Sequence, residues 1–541
     1  MGVQAKLKVF SDDNHRSDVE HTPVFEDLSH KLRSRPSWWP YFACGCGLVL
    51  LCMLWLGQVS PPHNGPRRRT GVHVPDRLRC DVLDLPEWRG RLQFIRRLDL
   101  ADCGLTHVPD SIGLAASLQF LDLGRNPLTE LPASLARCHN LHTLFVSGAP
   151  GLVEFPPVLG RMPGLTRLGL KSNGIRVVKP ESVPSNVEHL ILTNNRIAAL
   201  DVAVFSRLRN VRKLMLASNE LVSLPSEGVA MMQSLELIRL SNNQLQRVPE
   251  GLLRLPRLAW LSLAGNPFMP PPPPPAVPQL STLDVSVNPA QLLGEGASGL
   301  VRPGVYRGQA VAVKQFKAAS SDGRPENELA IYAAIRHPSF VRVFGVMLQP
   351  PAVVMELLPR SLHNIGQPPT INEVIEDRYS EDAFETFSLG DALTVLEAVA
   401  SALAHLHSPE VRVQHGDVYS HNTLSDAFNG HAVTTVRLVD FGAAFSYGQG
   451  AEAGDVGLDP AMLQRVEVRA FGVMAHELLG LTTKAEAEHV GWFRRTTTMF
   501  NLMRLVRACL KEDVAARPAF RDIASQLAAT RSSLVPADTA S

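Results

Sequence analysis

From about Phe94 onward, an aliphatic residue returns at one phase: Leu98, Leu121, Leu144, Leu168, Leu190, Leu214, Ile238 and Leu261, spaced 23, 23, 24, 22, 24, 24 and 23 residues apart. Each opens a phrase of the form Leu-x-Leu-x-x-Asn-x-Leu, as in Leu121-Asp122-Leu123-Gly124-Arg125-Asn126-Pro127-Leu128 and Leu190-Ile191-Leu192-Thr193-Asn194-Asn195-Arg196-Ile197. In a short extended stretch the paired leucines share one side. A single unit of this kind cannot bury its apolar side, whereas stacked copies can, so the period dictates a solenoid. Asn126, Asn173, Asn195, Asn219, Asn243 and Asn266 are expected to bond backbone amides where the chain turns away from each strand. The third copy carries Ala149-Pro150-Gly151 in place of the asparagine phrase, which predicts an irregular turn there.

The phrase is the signature of leucine-rich repeats, and Val108-Pro109, Leu131-Pro132, Leu224-Pro225 and Val248-Pro249 resemble the style of intracellular arrays. The resemblance implies an α/β solenoid over residues 93–269 whose concave face binds a protein partner. Pro270 to Pro275 then form an unbroken run within a linker over 270–279, a semi-rigid polyproline spacer of about 3.1 Å per residue. Leu280, Leu283, Val285 and Asn288 repeat the phase once more, as either a closing repeat or the run-in to the next domain.

The last half of the chain holds four ordered motifs. Gly294-Glu295-Gly296-Ala297-Ser298-Gly299-Leu300-Val301 fits G-x-G-x-x-G-x-V, and Val311-Ala312-Val313-Lys314 follows. His415-Gly416-Asp417-Val418-Tyr419-Ser420-His421-Asn422 and Asp440-Phe441-Gly442 complete the set. One glycine-rich string is weak; four in order are specific. Residues 280–530 therefore resemble a eukaryotic-type protein kinase, a two-lobed α+β fold, with a tail at 531–541.

Several roles follow from that resemblance. ATP and Mg²⁺ are the implied cofactors, because phosphoryl transfer is mostly positioning and charge neutralisation. Gly294, Glu295, Gly296, Ala297, Ser298, Gly299 and Val301 would line the phosphates, and the glycines allow close backbone approach. Lys314 would meet the α/β-phosphates, with Glu328 as its ion-pair partner and Glu326 as second choice. Ala312, Glu356 and Leu358 would border the adenine, with Met355 as gatekeeper. Asp417 would orient the hydroxyl nucleophile, while Asn422 and Asp440 would hold the metal. Asn429-Gly430 predicts a hairpin that delivers Asp440. Leu393, Leu396, Val399, Leu403 and Leu406 fall at helical spacing and read as core.

Some positions depart from the family pattern. Gly416 stands where most kinases carry Arg, so no cation of that loop awaits an activation-segment phosphate. This predicts basal activity independent of autophosphorylation and set by what the repeats bind. Tyr419 replaces a common Lys, Gly457-Leu458-Asp459-Pro460 stands in place of Ala-Pro-Glu, and Glu467-Val468-Arg469-Ala470-Phe471-Gly472 in place of D-V-W-S-F-G. Serine/threonine protein kinase activity is the favoured expectation. The alternatives are a pseudokinase scaffold, in which the repeats carry the function, and a small-molecule kinase sharing H-G-D-x-x-x-x-N with aminoglycoside and choline kinases.

Upstream, residues 1–37 form a polar tail and 38–59 an apolar stretch without Lys, Arg, Asp or Glu. Its 22 residues suffice to cross a hydrocarbon core of about 30 Å, so one N-terminal transmembrane helix is expected, followed by a linker over 60–92. Arg67, Arg68, Arg69, Arg77 and Arg79 outnumber Lys31, Arg33 and Arg35, which puts the repeats and kinase on the cytosolic side. The seven cysteines suggest no disulfide framework, and no Asn-x-Ser/Thr sequon occurs. A net charge of +1 gives no field for nucleic acid.

Overall fold

The structure, a computed structural model, describes residues 79–270, 276–296, 298–317, 325–370, 373, 375–380, 387–427, 432–448, 456–482 and 492–534. The expected transmembrane helix at 38–59, Ala297 and the Asn429-Gly430 turn lie outside the described residues.

The period becomes strands. β1 (Arg97–Asp99), β2 (Phe120–Asp122), β3 (Thr143–Phe145), β4 (Arg167–Gly169), β5 (His189–Ile191), β6 (Lys213–Met215), β7 (Leu237–Arg239) and β8 (Trp260–Ser262) form one parallel sheet in chain order. Leu98 pairs with Leu121, and the register continues through Leu144, Leu168, Leu190, Leu214 and Ile238 to Leu261. These side chains are buried in one continuous core. The residue preceding each asparagine phase is left-handed, from Asp102 and Arg125 to Asn242 and Gly265, with φ between 54° and 80°. That conformation turns the chain out of the strand.

The asparagines act on both sides of the turn. Asn195 Nδ2 donates to the Leu170 and Leu192 carbonyls at 2.9 Å, and its Oδ1 accepts from the Ile175 amide at 3.1 Å. Each therefore ties its own turn to the preceding repeat. The third copy has Ala149 at the asparagine place, and there Asn173 of the fourth copy accepts from the Ala149 amide itself at 2.7 Å, not from the amide two residues on.

The N-terminal end is closed by Val82, Leu83, Trp88 and Leu92, all packed into the repeat core. Cys80 and Cys103 are joined by a disulfide here, which corrects the expectation of none. Their separation of 23 residues is one repeat period, so stacking brings them together at the same edge.

β9 (Val285–Val287) pairs antiparallel with the later strand Gly299–Tyr306, so the phrase after the proline run is the first strand of the C-terminal domain and not a ninth repeat. β10 (Gly294–Glu295), β11 (Gly299–Tyr306), β12 (Gln309–Phe316), β13 (Val343–Leu348) and β14 (Pro351–Glu356) complete this sheet in the order β10-β11-β12-β14-β13. Helix α1 (Pro325–Ala334) packs on β13 and β14. The larger lobe is built on α2 (Leu389–Leu406), α3 (Pro460–Leu481), α4 (Trp492–Cys509) and α5 (Phe520–Leu534). Ser388 and Asp391 form a reciprocal capping box at the start of α2. Leu393, Leu396, Val399, Leu403 and Leu406 are buried, as their spacing predicts. Among the described residues α2 alone is long and apolar enough to cross a membrane, but here it lies in the core.

Repeats and kinase share their apolar clusters. Met215, Leu237 and Trp260 from the last three strands, with Ala259 just before β8, pack with the large lobe, and Phe445, Tyr447, Leu458, Leu463 and Val466 pack with the repeat core. The concave face expected to bind a foreign protein is, at β6 to β8, covered by the chain's own C-terminal domain.

Candidate active site

Strand pleating sets the first part of the site. Val301 stands opposite Lys314, and Ala312 opposite Met355, across adjacent strands. A Cβ at Gly299 would meet the Gln315 carbonyl at 2.5 Å, so only glycine lets β11 close on β12. Gly294 and Gly296 have nothing within 4 Å of a built Cβ, which leaves the loop open above the cleft. Lys317 Nζ bonds Glu295 Oε1 at 2.7 Å and the Gly296 carbonyl at 3.1 Å and so braces that loop. Glu356 ends β14, its backbone amide donating to Arg342 and its carboxylate accepting from the Arg342 amide; Leu358 follows just beyond the strand.

Lys314 is buried and ion-paired with Glu328 of α1, and Asp440 Oδ1 lies 3.7 Å from its Nζ. Burial works against the Lys314 ammonium, but Tyr332, Glu328 and Asp440 outweigh it and raise its pKa. Burial pushes Glu328 up to about 7, with Lys314 opposing. Behind the pair, Phe441 stacks edge-on to Tyr332 at 5.0 Å and to Phe340 at 5.4 Å, and meets His415 at 4.8 Å. This apolar column ties α1, Asp440-Phe441 and the 415–422 segment into one body.

Asn422 Nδ2 donates to the Asp417 carbonyl at 3.0 Å and to Asp417 Oδ2 at 2.8 Å. The amide nitrogen is thus engaged, and the amide oxygen is the atom available to a cation. Among the described residues no group of three or more His, Cys, Asp or Glu is placed to hold a metal. Two oxygen donors nonetheless fit Mg²⁺, which keeps several waters and takes substrate phosphates as its remaining ligands.

Three features of this site lay beyond the sequence motifs. Glu467 of α3 is fully buried; its Oε1 accepts from the Gly416 amide at 2.6 Å, and its Oε2 from the His415 amide at 3.3 Å and bonds His407 Nε2 at 2.8 Å. Burial opposes its ionisation, yet His407 foremost, with His415 and the Gly416 amide, holds its pKa low. The segment between β14 and α2 also grips the loop. Asp377 bonds the His421 amide at 2.8 Å and its Nδ1 at 2.5 Å, while the Tyr379 hydroxyl bridges Ser420 and Glu477, each at 2.8 Å.

The third feature comes from the repeats. Arg239 of β7 is buried; its Nη1 donates to the Gly416 carbonyl at 2.8 Å, and its Nη2 pairs with Asp417 Oδ1. Trp260 of β8 stacks on Tyr419 and donates from Nε1 to the Val418 carbonyl at 3.0 Å. Gly416 has φ +75°, and a Cβ there would meet the Leu261 carbonyl at 2.5 Å. A cation does stand at this loop, but it comes from the repeats and is spent on Asp417. Burial opposes ionisation of Asp417, but Arg239, then His421 and His415, together with the Asn422 bond, hold its carboxyl below the usual range.

Comparison with known proteins matches residues 287–527 to the protein kinase domain, and residues 117–138, 163–221, 185–231 and 209–268 to leucine rich repeats. The chain is similar to the probable serine/threonine-protein kinase pats1 of Dictyostelium discoideum, at 26% identity over 46% of this chain and 8% of that protein. It is also similar to the probable serine/threonine-protein kinase drkC of the same organism, at 25% identity over 46% of this chain and 36% of that protein. A leucine-rich repeat serine/threonine-protein kinase 1 of Mus musculus is 24% identical over 39% of this chain and 12% of its own length. The chain thus spans well under half the length of these relatives. It joins an array of leucine-rich repeats to a protein kinase domain.

Proposed function

We propose that this chain is an ATP-dependent protein kinase of the serine/threonine type, tethered to a membrane through residues 38–59, with repeats and kinase on the cytosolic side. The observation that carries the activity is the convergence of Lys314, Glu328, Asp417, Asn422 and Asp440 on one cleft beneath an open glycine-rich loop. Lys314, kept aimed by Glu328, steers the α/β-phosphates of ATP. Asp417 takes the proton of the acceptor hydroxyl as its oxygen bonds to the γ-phosphorus; the bond to the bridging oxygen breaks, and ADP leaves with the electron pair. Asn422 and Asp440 would hold Mg²⁺, which when bound would neutralise phosphate charge. The names of the relatives favour a protein acceptor over a small molecule.

The test is radiolabelled phosphate transfer by the purified full chain, before and after phosphatase, to serine/threonine proteins, tyrosine peptides and an aminoglycoside. Transfer to serine or threonine that survives phosphatase is expected. Transfer to the aminoglycoside alone would overturn the protein-kinase reading, and loss on dephosphorylation would overturn independence from autophosphorylation. For the membrane reading, protease added outside sealed vesicles should leave the repeats and kinase intact; their digestion from that side would refute the orientation.

A further inference from the structure

The contacts between repeats and kinase fall on one side of the cleft. On the nucleotide side, Gly294 and Gly296 face open space, and the Asp440 side chain is 39% exposed. On the acceptor side, each oxygen of Asp417 already accepts one bond, Oδ1 from Arg239 and Oδ2 from Asn422, and the side chain is 20% exposed. A hydroxyl nucleophile has to share one of them with these partners, because a base must lie within hydrogen-bond reach of the proton it takes, and the Arg239 ion pair makes Oδ1 a weaker base. Two residues on, the ring of Tyr419 is covered by Trp260, itself 1% exposed. Farther along, the segment entering α3 is pinned as well: the Val248 amide donates to the Val456 carbonyl at 2.8 Å, Gly457 lies against Val248, and Leu458 is buried in the repeat core.

Among the described residues the interior is meanwhile assembled. Lys314 meets Glu328 and Asp440, and Phe441 is packed between Tyr332 and His415. What is closed is access, not the machinery. Resting on the kinase reading above, we propose that the inner face of the last repeats acts as an internal pseudosubstrate. In this arrangement Arg239 caps the Asp417 carboxylate, Trp260 covers Tyr419, and transfer to a protein hydroxyl requires β7 and β8 to withdraw. Nothing inside the kinase has to be rebuilt, so removing the cap is enough to raise activity. The block acts on the acceptor and leaves ATP binding alone.

The experiment compares the full chain with Arg239→Gln and Trp260→Ala, using casein as acceptor, with hydrogen exchange recorded on all three. Exchange reports directly on the contact through the Val248 amide and the amides of residues 415–419. Both variants are expected to exchange faster at these positions. Casein phosphorylation should rise at least tenfold, with a lower KM for casein and an unchanged KM for ATP. Wild-type transfer that stays level or falls in both variants overturns the block and leaves the kinase reading standing; a fall would make Arg239 a positioning residue. Faster exchange with no transfer from any of the three proteins overturns the kinase reading and the block with it.

Discussion

Trp260 lies flat on Tyr419, ring centroids 4.5 Å apart and planes within 1° of parallel, although 158 residues separate Trp260 from the Val418 carbonyl that it also bonds. A buried aromatic of this kind contributes about 3–5 kcal/mol relative to alanine. Repeats and kinase are therefore expected to unfold together in denaturant, with fluorescence and circular dichroism giving coincident transitions. Trp260→Ala should separate the two curves and lower the first midpoint. Coincident curves in the variant would show that the domains are coupled elsewhere.

Asp440→Asn removes a charged oxygen donor and leaves the shape of the side chain. Phosphate transfer should fall by at least about a hundredfold, since the charge of the bound ion is held by so few ligands. The melting temperature should stay close to wild type. Equal turnover by the two proteins would remove Asp440 from the site.

The pH profile should carry the mark of Glu328. With its pKa pushed up to about 7, this carboxylate is charged above that pH and becomes neutral below it. Protonation weakens its pull on Lys314, while Asp417, whose pKa is lowered, remains ionised. Activity should therefore decline as pH falls through about 7. Glu328→Gln should give lower turnover and no decline in that range; a decline kept by the variant would assign it to another group.

Glu467→Gln tests the anchor beneath the loop. The glutamate accepts from two backbone amides and faces His407 in a fully buried setting. Breaking a buried pair by removing one partner costs about 3–5 kcal/mol. A clear drop in melting temperature is expected, together with faster hydrogen exchange at His415 and Gly416. A shift of less than one degree would refute the anchor.

The repeat period and the kinase motifs were legible because both are local. A return every 22 to 24 residues places Leu98 beside Leu121 by stacking alone, and the spacing from Asp417 to Asn422 closes a hydrogen bond within one loop. The contact of Arg239 with Asp417 joins residues 178 apart at a position the repeat pattern leaves open to any side chain. One signal was present. Met215, Leu237 and Trp260 put large apolar groups on strand positions that face outward in an isolated array, and such a patch asks for a cover. The Cys80–Cys103 link was also within reach, since its spacing equals the period. Glu467 was not, because its role appears only when α3 is laid under the loop.

Gly416 sets a steric condition on the seating of the repeats. An arginine in that place, the commoner choice among kinases, would drive its Cβ into the carbonyl of Leu261 and would have to adopt φ +75°. A chain built on this plan can thus keep the arginine or keep its repeats seated, but not both. The bare α-carbon at this one position is what lets two domains share a surface, and grafting the common His-Arg-Asp triplet onto this chain would unseat the repeats.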